Sequence, residues 1–95
     1  MTYITELVFD ERNIEHIARH GVTPEEVEEV CYLAPHFSRA RSKRGRRRYR
    51  AIGQTEDGRY LTIFLEHLGK GVFYPVTARD ANTSERREYQ RHKGR

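Results

Sequence analysis

The sequence contains a single cysteine, Cys31, and has no long run of apolar residues. A lone cysteine excludes an intrachain disulfide and a cysteine-based zinc site. No apolar stretch approaches the roughly 20 residues that a membrane-spanning helix needs, and the first residues lack the basic-then-apolar pattern of a secretory signal. These absences predict a cytoplasmic protein with no membrane partner.

Lysine is also scarce, although the chain is basic. Of its 18 lysines and arginines, only Lys43, Lys70 and Lys93 are lysines. The chain also has 14 acidic residues, so its net charge is +4. Arginine differs from lysine because its planar guanidinium can hold a phosphate through two parallel hydrogen bonds. The excess of positive charge therefore favours nucleic acid, an acidic protein or an anionic membrane as the partner. The membrane is the weakest candidate, since no long basic amphipathic helix is visible.

The N-terminal part of the chain predicts one strand and one helix. Residues 7–9 form a short apolar run that is typical of a strand. Asp10 can cap a helix that begins near Glu11, and Gly21 can end it in the left-handed conformation that glycine adopts without steric cost. Helical spacing predicts that three apolar side chains form its buried stripe. These are Ile14, Ile17 and Ala18.

A second helix is marked at both ends. Thr23 is its predicted cap, Pro24 occupies the first helical position, and Glu26 completes a capping box. Pro35 closes it. The predicted apolar face consists of Val27, Val30 and Cys31.

Residues 36–80 have an extended, β-favouring pattern with turn signals at Asp57-Gly58 and at residues 68–71. Pro75 within this region predicts an edge strand or a bulge. Residues 82–85 offer a further capping box that opens a polar last helix. The 95 residues are predicted to form one domain spanning 1–95, because a second core would leave too little apolar material for either. We therefore predict an α+β fold of order β-α-α-β-β-β(-β)-α, with a central antiparallel sheet packed against helices.

A strongly basic segment occupies residues 39–50, where eight cations fall within twelve residues. Such density suits phosphate binding, because each neutralised phosphate releases condensed counterions. An aromatic side chain within the run could stack on unpaired bases. Two alternatives remain open, a solvated loop and a docking strip for an acidic partner. The predicted RNA-binding residues are Arg41, Lys43, Arg44, Arg46, Arg47, Arg48 and Tyr49.

Residues near the last helix carry the chemistry that a nuclease would need. Arg79, at the end of a strand, can point at a fixed anion and stabilise the negative charge of a phosphoryl-transfer transition state. The alternative is an ion pair with Asp80 or Glu85. Glu85 is as readily a capping-box residue as a general base, and Tyr89 a helix anchor as readily as a catalytic group. No cofactor and no metal site is expected, since the helical pair His16 and His20 suggests no third ligand.

Three stretches, taken in order, resemble BrnT-type toxins, a family of the RelE/ParE-like superfamily. They are Phe9–Asn13 leading to Arg19–Val22, Ile52-Gly53 with Gly58–Leu61, and Thr77–Arg79 with Glu85–Tyr89. The resemblance implies a RelE-like fold and the toxin of a type II toxin–antitoxin system. Such a toxin is a metal-independent ribonuclease that cleaves free or ribosome-bound RNA and inhibits translation and growth. An antitoxin with a ribbon-helix-helix DNA-binding part would be its partner. The catalytic candidates by resemblance are Arg79, Glu85, Arg86, Tyr89 and Arg50.

Proton transfer is left open by the sequence. Metal-free RNA cleavage needs a group that deprotonates the 2′-hydroxyl and one that protonates the leaving 5′-oxygen. Glu85, Tyr89 and His67 are the candidates. Two other functions also remain, a RelE-like module that binds RNA or protein without cutting and a ParE-like toxin that acts on another target such as DNA gyrase.

Overall fold

The structure, a computed structural model, describes residues 4–41 and 48–93. In these residues it is a compact α+β fold in which three helices pack on one five-stranded sheet. The elements, in chain order, are β1 (Glu6–Leu7), α1 (Glu11–Ala18), α2 (Pro24–Tyr32), β2 (His36–Ala40), β3 (Arg48–Gln54), β4 (Tyr60–Gly69), β5 (Val72–Asp80) and α3 (Thr83–Lys93). The predicted α+β class and order are confirmed, with all four late strands formed.

The sheet is mixed rather than wholly antiparallel, which corrects the prediction. Its strand order is β1-β5-β4-β3-β2. β2 to β5 form an antiparallel meander, whereas β1 pairs in parallel with the start of β5. The parallel pair arises because the chain leaves β1, forms α1 and α2, and returns at the opposite edge. β1 is shorter and earlier than predicted, since only Glu6 and Leu7 pair with β5.

Helix α1 is capped as predicted but buries a different set of residues. The Asp10 carboxylate accepts from the Asn13 amide at 2.9 Å, and the Asn13 side chain accepts from the Asp10 amide at 2.8 Å. Ile17 is fully buried, but Ile14 is 41% exposed and Ala18 is also exposed, so two thirds of the predicted stripe is wrong. Asn13 is buried instead, because its amide group hydrogen-bonds two backbone carbonyls. Asn13 therefore faces the interior of the protein because of its hydrogen bonds and not because of hydrophobicity.

Helix α2 follows its prediction closely. The hydroxyl of Thr23 accepts from the Glu26 amide, and the Glu26 carboxylate accepts from the Thr23 amide. Its three predicted apolar residues are buried. Burial raises the pKa of the Cys31 thiol to about 12, so this cysteine is a core residue and not a reactive thiol.

Helices α1 and α2 cover one face of the sheet and form the core there. The buried cluster joins Ile17 and Val30 of these helices to β-strand residues such as Ala51, Ile63 and Phe73. Gly53 marks the closest approach of α2, because a Cβ at this position would lie 3.1 Å from Val30 Cγ1. A larger residue would therefore require the Val30 side chain to shift by a few tenths of an ångström.

The region around Pro75 explains how a proline is accommodated in β5. The register shifts between Phe64 and Leu65 of β4, whose partners are Thr77 and Pro75, so β5 carries one extra residue there. The predicted bulge is confirmed. β5 is an inner strand of the sheet, but its pairing with β1 extends only to Phe73. The carbonyl of Pro75 therefore accepts a hydrogen bond from Asn13 Nδ2, at 3.0 Å, rather than from a neighbouring strand.

Arg59 ties the β3–β4 hairpin to the turn after α1. The predicted turn at Asp57-Gly58 is present, and Gly58 has a φ of +88° that suits glycine. Arg59 donates to the carbonyl of Gly21 at 2.8 Å and to the carboxylate of Asp80 at 2.8 Å, and it also pairs with Glu26. One side chain therefore joins α1, α2, β5 and the hairpin.

In residues 4–41 and 48–93, none of the helices has the length and apolar character needed to cross a bilayer. Nor does this part of the chain bring three or more His, Cys, Asp or Glu side chains together in a way that could hold a metal ion.

Candidate active site

The candidate site lies on the sheet face opposite the one that α1 and α2 cover. Alternate residues of a strand point to opposite faces, so Arg48 and Arg50 share this face, and register places them opposite Glu66 and Phe64 of β4. Arg79 of β5 lies opposite Thr62 on the same face. We call Arg48, Arg50, Phe64 and Arg79 the arginine face. They are half-buried, and helix α3 packs beside them.

Arg79 is held by two parallel hydrogen bonds. Its Nη1 lies 2.7 Å from one oxygen of Glu85 and its Nη2 lies 2.9 Å from the other. This bonding raises the pKa of Arg79. The guanidinium carbon also lies 5.4 Å from the centre of the Phe64 ring, within cation–π range. Arg79 is therefore fixed in direction, while its side chain remains 36% exposed.

Glu85 is a positioning residue in this geometry. It also accepts from the Thr62 hydroxyl and from the Asn82 amide, both at 2.9 Å, and its own amide donates to the Asn82 side chain, as a capping box requires. Burial by itself raises the pKa of Glu85, but the hydrogen bonds from Arg79, Asn82 and Thr62 outweigh it and lower the pKa to about 2. A carboxylate this acidic is a poor general base near neutral pH.

Arg50 occupies the edge of the site next to β2. Its Nη2 donates to Glu88 at 2.5 Å and lies 3.4 Å from the Ser38 hydroxyl. Its Nε is buried and has no hydrogen-bond partner in the described part of the chain, and the same holds for Nε of Arg48. Arg48 has a looser ion pair with Glu66, at 3.6 Å. Because these Nε atoms are buried, only the terminal Nη groups of the two arginines can reach a ligand.

Phe64 lies between these arginines. It faces Arg50 on β3 and Thr77 on β5, and directly opposed side chains lie about 5 Å apart at Cβ. The sequence did not single it out, because Phe64 stands in a run of β-favouring residues that is equally typical of a core strand. Only the sheet register separates it from its buried neighbours Ile63 and Leu65.

Arg86 and Tyr89, both predicted catalytic, lie at the other end of the face. The guanidinium of Arg86 stands 4.3 Å from the centre of the Tyr60 ring. Tyr89 is only 7% exposed and meets the Tyr60 ring edge-on. Tyr89 therefore anchors α3, whereas Arg86 borders a groove of about 1000 Å³ that Arg87 and Arg91 also line.

The predicted RNA-binding residues are divided by the structure. Arg48 joins the arginine face, and Arg41 is exposed just after β2. Tyr49 lies on the opposite face, where its ring stacks on Phe37 at 5.0 Å and meets Phe73 edge-on. The remaining four predicted residues lie outside the described residues. They are Lys43, Arg44, Arg46 and Arg47.

The structure also brings together groups that sequence reasoning missed. His36 Nε2 lies 2.8 Å from Glu88 Oε2, the oxygen that also binds Arg50. The ring of His92 stacks on that of His36 at 4.1 Å, with 6° between the planes. His67, the histidine that the sequence suggested, stacks on Phe73 instead. The spacing of Glu88 and His92, one helical turn apart, was the only available signal for this cluster.

In comparisons with known proteins, no family model and no curated protein sequence matches the chain. The resemblance to BrnT-type toxins therefore stays a prediction that depends on the three stretches named above.

Proposed function

We propose that this protein is an endoribonuclease toxin of the BrnT/RelE type, and that the arginine face binds and cleaves single-stranded RNA without a metal ion. The observation that carries the proposal is the placing of Phe64 between Arg50 and Arg79 on a half-covered sheet face. The part of this half-buried ring that remains accessible gives an unpaired base a surface to stack on. Guanidinium groups beside it supply donors for the adjoining phosphate.

The reaction follows from what RNA cleavage requires. The 2′-hydroxyl loses its proton and attacks the neighbouring phosphorus, the bond from phosphorus to the 5′-oxygen breaks, and that oxygen takes up a proton. The products are a 2′,3′-cyclic phosphate and a 5′-hydroxyl. The phosphorane between these steps carries more negative charge than the starting diester, so fixed cations stabilise it preferentially. Arg79 and Arg50 are the residues proposed for this role.

The ion pairs of the site hold Arg50 and Arg79 in the orientations proposed for charge stabilisation. Glu85 and Glu88 each fix one guanidinium in direction, and a guanidinium has five N–H donors, of which these carboxylates use only some. Fixed donors need no reorganisation when charge develops on the phosphate. The carboxylates thereby orient the arginines and leave donors for RNA.

The toxin identity rests on the family resemblance, and the contacts of the resembling stretches support it. The first stretch meets the second where Arg59 donates to Gly21, and the third contains the paired Arg79 and Glu85. The order of elements agrees with the RelE-like fold that the resemblance implies. On this proposal the partner in the cell is an antitoxin with a ribbon-helix-helix DNA-binding part.

A non-catalytic RNA-binding module is the second candidate, and one observation favours it. The three predicted proton-transfer residues are poorly placed: Glu85 is strongly acidic, Tyr89 is nearly buried, and His67 lies against the core residue Phe73. Such a module binds RNA in a salt-dependent way and leaves it intact.

The test is induced expression in a bacterial host, with growth followed and RNA 5′ ends mapped. We expect the wild type to arrest growth and create new RNA ends, and Arg79→Gln to lose both, since removing one oxyanion donor typically costs about 10²–10³-fold in rate. Because Arg79→Gln leaves Glu85 without its partner, Arg79→Gln/Glu85→Gln is measured beside it at equal protein level.

Arg19→Gln is the matched control, because the Arg19 side chain, at the end of α1, is 69% exposed and pairs with the exposed Glu15. It should behave as the wild type. Normal growth and intact RNA from abundant, folded wild-type protein would refute the ribonuclease proposal. Intact RNA that nevertheless co-purifies with the protein would favour the binding module.

A further inference from the structure

We propose that His36 is the proton-transfer residue of this site, oriented by Glu88 and paired with His92. The inference rests on the proposed ribonuclease function and supplies the step that the predicted residues do not. Its basis is a cluster in which Glu88 Oε2 lies 2.8 Å from His36 Nε2 and 2.5 Å from Arg50 Nη2, with the His92 ring 4.1 Å from that of His36.

Position is the first argument. His36 begins β2, an edge strand of the sheet, and its side chain is 17% exposed, so it is shielded without being sealed from a ligand. It shares its carboxylate with Arg50, a member of the arginine face. A phosphate bound by Arg50 would therefore lie beside the imidazole, and proton transfer requires hydrogen-bond reach of the reacting oxygens.

Orientation is the second argument. A carboxylate paired with an arginine accepts hydrogen bonds only, so the His36 nitrogen that meets Glu88 is the one that carries a proton. In the neutral ring this leaves Nδ1 as the acceptor. A base fixed by a third group is the usual arrangement for proton abstraction from a hydroxyl, because it sets both the tautomer and the direction of the ring.

The stacked partner is the third argument. The His36 and His92 rings stack at 4.1 Å, so two imidazoles, each able to hold or release a proton, lie side by side. RNA cleavage uses such a combination, because one group must take a proton from the 2′-hydroxyl and another must give one to the 5′-oxygen. The charged groups that face His36 are Glu88 and His92 from α3 and Arg50 from β3.

The experiment is single-turnover cleavage of a short single-stranded RNA by the full chain, between about pH 5 and pH 9, which spans the range in which histidine side chains ordinarily change charge. We expect His36→Ala to lower the rate by about 10²-fold or more while RNA binding is retained. Added imidazole should restore cleavage in proportion to its neutral form. His20→Gln, an exposed histidine beyond α1, is the control and should leave the rate unchanged.

Glu88→Gln keeps the inference testable even if His36→Ala does not fold. The variant removes the carboxylate that fixes the ring, so it should lower the cleavage rate while RNA binding is retained. An unchanged cleavage rate in Glu88→Gln, or a folded His36→Ala protein with wild-type rate and pH profile, would overturn the assignment to His36 while leaving the ribonuclease proposal standing. A wild-type protein that binds RNA and never cuts it would overturn both.

Discussion

Replacing Glu85 with glutamine should destabilise the protein by about 2 kcal/mol at neutral pH, and the loss should disappear in acid. Folding lowers the pKa of Glu85 from 4.5 to about 2, and each unit of such a shift corresponds to about 1.4 kcal/mol. The full shift would give about 3 kcal/mol, but Arg79 is 36% exposed and solvent screens its contribution, so we expect roughly 2 kcal/mol.

The direction of the pKa shift of Glu85 determines how the stability difference between wild type and Glu85→Gln depends on pH. Because the pKa is lowered on folding, the carboxylate contributes its stability in full above pH 4.5 and loses it as the pH falls through about 2. Urea unfolding followed by circular dichroism suits a chain without tryptophan. Wild type and Glu85→Gln should differ at pH 7 and converge near pH 2.

Glu15→Gln provides the control for surface charge. Glu15 pairs with Arg19 in an ion pair where both side chains are about 70% exposed, and such pairs contribute at most about 0.5 kcal/mol. If Glu85→Gln were no worse than Glu15→Gln at pH 7, the positioning role of Glu85 would be refuted. A deficit that persisted unchanged to pH 2 would show that packing rather than ionisation explains it.

Three further predictions separate RNA binding from folding. Phe64→Leu should weaken binding of single-stranded RNA by about 1 kcal/mol or more, because it removes a stacking surface, and equal affinity by fluorescence anisotropy would contradict this. Arg59→Gln should lower the free energy of unfolding by about 1–2 kcal/mol, since it loses bonds to two carboxylates and two carbonyls, with RNA affinity unchanged. Replacing the four cations of residues 43–47 with glutamine should reduce the slope of log affinity against log salt by up to about 2.8 for single-stranded RNA, and an undiminished slope would place the phosphate contacts elsewhere.

The sequence predicted the elements well wherever a local signal determines the structure. Capping boxes close within four residues, so Asp10 and Thr23 could be assigned from their neighbours alone, and both caps are present. The turn at Gly58 follows from the backbone freedom of glycine, and the bulge at Pro75 follows from the restricted φ and missing N–H of proline. The course of β1 could not be predicted in this way, since its partner stands some sixty-six residues further along the chain.

The candidate site was likewise predictable only where its residues lie close together in the sequence. Arg79 and Glu85 lie six residues apart, and their pairing was one of the alternatives that the sequence offered. Phe64, His36 and Glu88 were missed because their importance depends on which sheet face is covered and on where α3 docks. Periodicity identifies an alternating strand, but it cannot tell which of two faces a polar helix will choose.

The position of α3 on the sheet and the geometry of the candidate site depend on the same ion pairs. This helix is polar, with Glu85 and Tyr89 as its buried residues, so little apolar area holds it to the sheet. The ion pairs of Glu85 with Arg79 and of Glu88 with Arg50 therefore help to fix the helix and at the same time direct the two arginines. A phosphate that took the donors now bound to Glu85 or Glu88, rather than the remaining ones, would displace the carboxylate that holds α3 in place. On the proposed function, tight RNA binding through those donors would loosen the helix, so we expect affinity to come chiefly from cations outside the ion pairs, and the paired arginines to act on the transition state.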